Sequence, residues 1–496
     1  MPNGTTGDLE KGRMPGKFLK AGIPLAVWLV ILLIPVPAGL QPNAWYYFAL
    51  FAATMVAIML EPLPLQVVSL GALVIATVMR YVEPGASQSV QWALSGFSDK
   101  TVWLIFGALV FTLGYNKSGL GRRLALLLVR KLGGRTLGLG YAIMLSDVVL
   151  GPGTPSNTGR SAGIIFPIIS NIPPIFGSEP GPTSRRIGSY IMCTALASTA
   201  VTSSMFLTAL APNAAVLAFL KQITNIQITW TQWFLGFLPV GLILISFLPL
   251  LIYIVYRPEI VSSKEVPAWA SKELEMMGKV SKKELRMGGL ILLAIVLWIT
   301  GSNKDISLPF LGSQFIDATS VVLMCIVLMV LTRVVEWEDV VTNKEAWNVL
   351  MWFAPILTLS DGLNKVGFLT WLAKFGAQPL ASVPPLFAMV LLVALFFGIH
   401  YFFTSLTAHA AAVLPVMLGI GMTIPGLPIL TFSLLLVYSL GLMGIITPYA
   451  MGPSPVYYGS GYIPRSDFWR LGFLCGLFYL TVLLIVGVPW LTRVVQ

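Results

Sequence analysis

Charge is what this sequence has least of. Only 10% of its 496 residues are Asp, Glu, Lys or Arg, and it has two histidines and three cysteines. A soluble domain of this length must wet its surface with charge, so an ordinary water-soluble protein is excluded. Cys193, Cys325 and Cys475 stand far apart inside apolar stretches. That spacing argues against a disulfide framework or a metal knuckle and leaves them as small apolar side chains. A Walker motif is missing, which argues against ATP-driven work. No cofactor box is evident either, and the aromatic residues read as interfacial anchors, so neither cofactor nor metal is expected. The net charge of +11 comes without a long basic run, so nucleic acid is not an expected partner.

What the chain has instead is apolar length. It is 56% hydrophobic with a mean hydropathy of +0.84. Runs near the roughly 20 residues needed to cross a hydrocarbon core recur throughout, with no domain-sized polar stretch between them. We read an all-α polytopic membrane protein, 1–496 forming one unit in the lipid bilayer. Residues 1–20, with Asp8, Glu10, Lys11 and Arg13, are unlike an acid-poor transit peptide, and 21–40 reads as a retained span. Further spans are expected at 44–60, 64–80, 101–115, 188–220, 232–255, 287–302, 315–332, 346–360, 429–458 and 470–494, making about eleven crossings.

Two other apolar segments, 137–172 and 384–420, are interrupted by polar motifs and bent by Gly or Pro. The first carries Ser156-Asn157-Thr158 and Arg160, the second Ser405-Leu406-Thr407 and His409. Irregular backbone survives at membrane depth only inside protein or beside a wet cavity, so both read as re-entrant hairpins. Counting them as non-spanning puts the N-terminus, 116–136, 173–187 and the 256–286 connection on one side. Their basic residues include Lys117, Arg122, Arg123, Arg130, Lys131, Arg135, Arg185 and Arg186, with seven more between Arg257 and Arg286. Positive-inside topology makes that side the cytoplasm.

A repeated phrase fits this layout. Asn116-Lys117-Ser118-Gly119-Leu120 precedes the first polar segment and Asn364-Lys365-Val366-Gly367-Phe368 the second. The topology runs the first copy inward and the second outward, giving inverted repeats at about 44–255 and 287–494. Inverted repeats with broken helices mark secondary transporters, whose site lies near midplane.

Residue chemistry points to an anion. Ser156, Asn157, Thr158, Ser405 and Thr407 offer hydroxyl and amide donors to a carboxylate, and the start of each second arm adds free N–H groups. Ser203-Ser204 up to Ala211-Pro212-Asn213, and Thr447-Pro448 with Gly452, read as unwound helix where small residues let a ligand reach the main chain. Ser203, Ser204, Thr447 and Gly452 are therefore further substrate contacts. A dianion loses several kcal/mol of hydration on entry, and Arg160 and His409 are the fixed cations at hand. Simpler roles compete: membrane Ser and Thr often satisfy a neighbouring carbonyl, Asp147 suits a structural partner for Arg160, and His400 suits packing or capping.

The hairpin Thr154-Pro155-Ser156-Asn157-Thr158, the Ala211-Pro212-Asn213 break, the second hairpin Ser405-Leu406-Thr407-Ala408-His409, and Thr447-Pro448-Tyr449-Ala450 with Gly459-Ser460-Gly461 resemble the divalent anion:sodium symporter family of INDY-type carboxylate transporters. Ile34-Pro35-Val36-Pro37, Ile58-Met59-Leu60-Glu61-Pro62 and Gly119-Leu120-Gly121-Arg122-Arg123 resemble its exchanger branch, which includes bacterial citrate:succinate and tartrate:succinate antiporters and plastid 2-oxoglutarate/malate translocators. The resemblance implies two hairpins beside about eleven helices per protomer, a homodimer, and a transport domain moving like an elevator against a static scaffold. It implies di- or tricarboxylate substrates such as succinate, malate, fumarate, 2-oxoglutarate, citrate and tartrate, and a bacterial inner-membrane location. Sodium-coupled members carry Ser-Asn-Thr at both tips and hold sodium with backbone carbonyls around tips and breaks. Here Leu406 replaces the second Asn, and Arg160 and His409 stand near the sodium positions, implying sodium-independent obligate exchange in which an empty site would leave buried cations unpaired.

Three alternatives remain at this point. A sodium-coupled symporter would use the same tips. An anion channel would need no counter-substrate. An intramembrane serine hydrolase would use Ser405 and His409, whose i, i+4 spacing puts them on one helix face, although Arg160 occupies the equivalent place in the first motif.

Overall fold

The computed structural model describes residues 14–301, 307–308, 312–372 and 383–494. The acidic and basic residues Asp8, Glu10, Lys11 and Arg13 lie outside the described residues.

Helices make nearly all of the structure. The first half opens with α1 (Met14–Leu33), α2 (Pro42–Leu60) and α3 (Leu65–Val78). Next come the short α4 (Ala86–Leu94) and α5 (Lys100–Ser118), bent by 41° at the junction. The apolar-run reading began at 101 and missed α4, because its Gln88, Ser89 and Gln91 dilute the hydropathy while Ser89, Trp92 and Ala93 are buried. Asp99 caps α5 by accepting the Thr101 N–H at 2.7 Å.

The repeated Asn-Lys phrase has a local structural meaning. Gly119 closes α5 at φ +80° and Gly367 closes the corresponding helix α16 (Lys344–Lys365) at φ +78°, a left-handed conformation that favours glycine. Between them lie the amphipathic α6 (Leu120–Leu132), then α7 (Thr136–Leu150) and α8 (Phe166–Ile169), which flank the first polar motif. α9 (Gly188–Met205) breaks at Phe206 to Leu210 and resumes as α10 (Ala211–Thr224), before α11 (Trp230–Val255). α12 (Glu265–Met277) lies against α6 and is tied there by Arg122–Glu273 at 2.7 Å. The buried pair Arg123–Glu284, at 2.6 Å, holds α6 to α13 (Lys282–Gly301). The connecting loop is thus anchored, although its apolar face is short. α14 (Ala318–Leu331) and α15 (Trp337–Val341) precede α16.

The second half repeats the order. α17 (Pro385–Ile399) and α18 (Leu406–Thr423) flank the second polar motif. α19 (Ile429–Leu442) breaks across 443–453 and resumes as α20 (Ser454–Gly459), followed by α21 (Arg465–Val482) and α22 (Val488–Val494).

The two broken helices form the centre. Every residue of α9 is buried, as are Thr431 to Leu442 of α19, and the helices pack together with Ser204 Oγ donating to the Tyr438 carbonyl at 2.7 Å. Outer helices show the reverse: Leu285, Leu292, Val296 and Ile299 of α13 and Leu323, Val327 and Leu331 of α14 face outward. Such apolar exterior stripes suit lipid, which offers their neighbours no hydrogen bonds. Among the described residues seven helices are long and apolar enough to cross a membrane, or eight with the bent α4–α5 pair. Three of the seven are arms of the polar segments. The chain is a multi-pass, all-α membrane protein.

Candidate functional site

Each polar motif sits where a helix stops and another begins. After α7 the backbone makes a tight turn over Gly151–Gly153, runs extended through Thr154 to Ser156, and enters a π-helical stretch, Thr158–Ile165. Pro155 has no N–H to continue the earlier helix. Wide π turns concentrate at functional sites, where they free backbone groups. Ser156 accepts the Gly159 N–H on Oγ at 3.0 Å and the Arg160 N–H on its carbonyl at 2.9 Å. In the second motif a turn over His400–Phe402 leads to Ser405, which caps α18 by accepting the Ala408 N–H at 3.4 Å. Both serines are therefore N-terminal caps, and both helix starts aim positive dipole ends at the same space.

That space is a cavity of about 310 Å³. Pro155, Ser156, Asn157 and Thr158 line one side and Thr404, Ser405, Leu406 and Thr407 another. The breaks contribute Leu210, Ala211 and Pro212 from the first half and Met451 and Gly452 from the second. Its volume falls in the range of about 300–1,000 Å³ typical of small-molecule sites. Gly452 is needed as glycine, since a Cβ there would stand 2.0 Å from Thr158 Oγ1. The second break and the first tip are thus in direct apposition. The cavity of about 550 Å³ beside Tyr115 and Pro167 does not reach the tips, whereas a smaller one of about 100 Å³ adjoins the second through Ser405 and Thr407.

Six of the expected contacts, Ser156, Asn157, Thr158, Ser405, Thr407 and Gly452, therefore come together. Ser203, Ser204 and Thr447 do not reach the cavity. Ser203 Oγ accepts from Arg160 at 3.3 Å, Ser204 Oγ is committed to Tyr438, and Thr447 Oγ1 accepts the Tyr449 N–H at 3.4 Å. These hydroxyls hold the breaks in shape. So does Asn213, whose amide donates to the Ser203 and Phe206 carbonyls at 2.7 and 3.2 Å.

The two expected cations also lie behind the lining. Arg160 is wholly buried and turned from the cavity, with Nε 3.2 Å from Asp147 Oδ1. It donates through Nη1 to the carbonyls of Thr154 and Ala209, both at 2.8 Å. Its charge is therefore balanced by Asp147 rather than left free for a ligand. The carboxylate in turn accepts the Thr199 hydroxyl at 3.1 Å; Thr199 Oγ1 accepts from Ser161 Oγ at 2.7 Å, and Ser161 meets Tyr457 Oη at 2.9 Å. His409 is buried among the rings of Phe396, His400 and Phe403, and neither of its nitrogens has a hydrogen-bond partner among the described residues. His400, expected only to pack or cap, faces the second break with Nε2 3.0 Å from the Ala450 carbonyl. A ring nitrogen facing a carbonyl must carry the proton.

The charged residue of the lining had no place in the sequence reading. Glu345, in the first turn of α16, brings Oε1 to 2.7 Å from Ser156 Oγ, which donates to it. A charge beside an apolar run looks like any loop charge, so only the fold reveals it.

Comparison with known proteins decides the kinship. The sequence model of the family described as the sodium:sulfate symporter transmembrane region matches residues 16–496. The chain belongs to this family. It is 44% identical over 481 residues to the L-tartrate/succinate antiporter of Escherichia coli strain K12, covering 94% of this chain and 96% of the relative. The corresponding antiporter of Shigella sonnei strain Ss046 matches at the same identity and coverage. Two solved transporters share the fold: Alcanivorax borkumensis YdaH has a TM-score of 0.58 at 16% identity, over 83% of this chain and 90% of its own. Neisseria gonorrhoeae MtrF has a TM-score of 0.53 at 13% identity, over 91% of this chain and 96% of its own. As a member of a transporter family, this protein is not an enzyme, and the hydrolase reading ends. The Ser405 hydroxyl and the His409 ring make no hydrogen bond to each other in any case; only their backbones are joined, His409 N–H to the Ser405 carbonyl at 3.0 Å.

Proposed function

We propose that this protein is a dicarboxylate antiporter of the bacterial inner membrane, exchanging four-carbon acids of the tartrate and succinate kind, without sodium, by an elevator movement. The observation that carries the reading is the meeting of both polar tips and both helix breaks in one cavity rich in neutral donors. The antiporter relatives support the exchange, and the matching order of elements in 44–255 and 287–494 supports two inverted repeats joined by 256–286. In that layout the polar segments are hairpins, about eleven helices cross, and a homodimer scaffold carries the moving parts.

Sodium independence rests on which groups occupy the carbonyls around the tips and breaks. Arg160 takes those of Thr154 and Ala209, and His400 takes that of Ala450. Side-chain N–H donors thus fill places that a cation would need, so His400 replaces His409 in this role. Arg160 does so as half of an ion pair, and emptying the cavity does not leave it unpaired. Its charge therefore gives no reason for an empty carrier to stall.

The test is uptake of labelled succinate into proteoliposomes without sodium. Uptake into vesicles loaded with unlabelled succinate or tartrate, and background uptake into empty ones, is expected. Filling of empty vesicles only when sodium is added would replace antiport by sodium symport.

A further inference from the structure

A carboxylate already stands in the cavity. Glu345 Oε1 lies 2.7 Å from Ser156 Oγ at the first tip, and the glutamate is exposed on the side where α16 begins. Among the described residues no lysine or arginine forms an ion pair with it. A glutamate in a helix's first turn suits the helix dipole wherever its carboxylate points. That simple role does not require reaching Ser156, the hydroxyl best placed to receive a substrate carboxylate. The bond also adds to the links between α16 and the first break, since α16 packs on α10 as well. α16 lies against α3 and α5, and Ser156 belongs to the segment held to α9 through Arg160, Thr199 and Ser161.

We propose that Glu345 is an internal stand-in for a substrate carboxylate, which holds the first tip when the site is empty and so brakes the return of the unloaded carrier. This rests on the antiport reading above. Ser156 has one proton to donate, so Glu345 and a substrate carboxylate compete for it, and their like charges keep both from remaining. An incoming dicarboxylate takes over the Ser156 hydrogen bond, Glu345 withdraws to water, and the loaded segment is free to move. Strict exchange then follows from an occupied site, whichever carboxylate occupies it.

The experiment compares the unmodified protein with Glu345→Ala and Glu345→Gln in proteoliposomes, using labelled succinate and vesicles that are empty or loaded with succinate. A hydrogen bond to a charged acceptor is worth roughly 10- to 100-fold in an equilibrium. Glu345→Ala is expected to raise uptake into empty vesicles by about that factor while exchange into loaded vesicles persists. Glu345→Gln, still able to accept from Ser156, should rise less. A second measurement does not depend on transport: Glu345→Ala should tighten succinate binding to the detergent-solubilised protein, because the competitor for the Ser156 proton is gone. If Glu345→Ala remains as strict an exchanger as the unmodified protein, the brake is wrong and antiport stands. If the unmodified protein fills empty vesicles as fast as loaded ones, antiport fails and takes the brake with it. Succinate binding no tighter in Glu345→Ala than in the unmodified protein overturns the competition for Ser156.

Discussion

Arg160 and Asp147 form an ion pair with no exposure on either side chain, and their energetics can be taken apart. Arg160→Met removes the charge, leaves Asp147 buried with the Thr199 hydroxyl as its remaining donor, and strips the donor from two carbonyls. Breaking a buried pair from one side costs about 3–5 kcal/mol, because the surviving charge has no compensation. Against a total stability of about 5–15 kcal/mol, that is a large fraction. Asp147→Leu should cost a similar amount for the mirror reason, since Arg160 keeps its carbonyls but loses its countercharge. The double variant exchanges the pair for two apolar side chains of comparable bulk, a change that is often neutral or stabilising. With each single variant costing about 3–5 kcal/mol and the double near zero, the expected coupling in a double-mutant cycle is about 6–10 kcal/mol, read from chemical unfolding in detergent micelles. Transport should not recover with stability, because the Thr154 and Ala209 carbonyls still lack the N–H groups that filled their site. Sodium should now raise the melting temperature of the double variant and not of the unmodified protein, since a ligand of the folded state stabilises by mass action. A double variant as unstable as the sum of the singles would refute the ion-pair account. A double variant indifferent to sodium would refute the idea that Arg160 fills a cation position.

Three further outcomes are expected. His400→Phe should lower the exchange rate at least about tenfold by orphaning the Ala450 carbonyl, while His400→Gln, with an N–H to donate, retains more; His409→Phe should behave like the unmodified protein because its neighbours are rings, and equal loss in both Phe variants would contradict the assignment. Gly452→Ala should weaken succinate exchange without unfolding the protein by pushing Thr158 from the first tip, and Thr158→Ala in the same chain should relieve part of the clash; unchanged apparent affinity in Gly452→Ala would show that the two elements do not need to touch. Asp339, outside the spans, is held below the ordinary carboxylate range chiefly by the hydrogen bond from Lys117, so its stabilisation is present above the unfolded pKa and is lost as pH falls through the lower folded value. Asp339→Asn should therefore flatten the acid limb of the thermal-stability profile at low salt, and an unaltered limb would assign the pair no role.

Much of the fold was legible because the membrane imposes few solutions. Apolar run length found the spans, and Pro or Gly within them found both breaks, since a buried helix interruption leaves polar backbone that a sequence must compensate. The tips were legible as Ser-Asn-Thr and Ser-Leu-Thr because no lipid-facing role explains clustered hydroxyl and amide side chains within a bent apolar segment. Asp147 suits a structural partner for Arg160 on residue type alone, and the two do meet where the chain reverses between them. What the sequence concealed was the direction in which single side chains turn. Whether His400 or His409 faces the second break depends on how the short turn at 400–402 directs the two rings. Glu345 joined the site through tertiary approach alone, and Ser203 and Ser204 are held by partners far along the chain, whereas Thr447 meets the Tyr449 N–H two residues on.

The complete burial of α9 bears on how the protein is made. Within α9, Ser198 can return its hydroxyl to a carbonyl of its own helix while the chain is still being made. Ser204 instead meets the Tyr438 carbonyl, a group added 234 residues later. The centre of the protein therefore closes late in synthesis, when α19 comes to lie against α9.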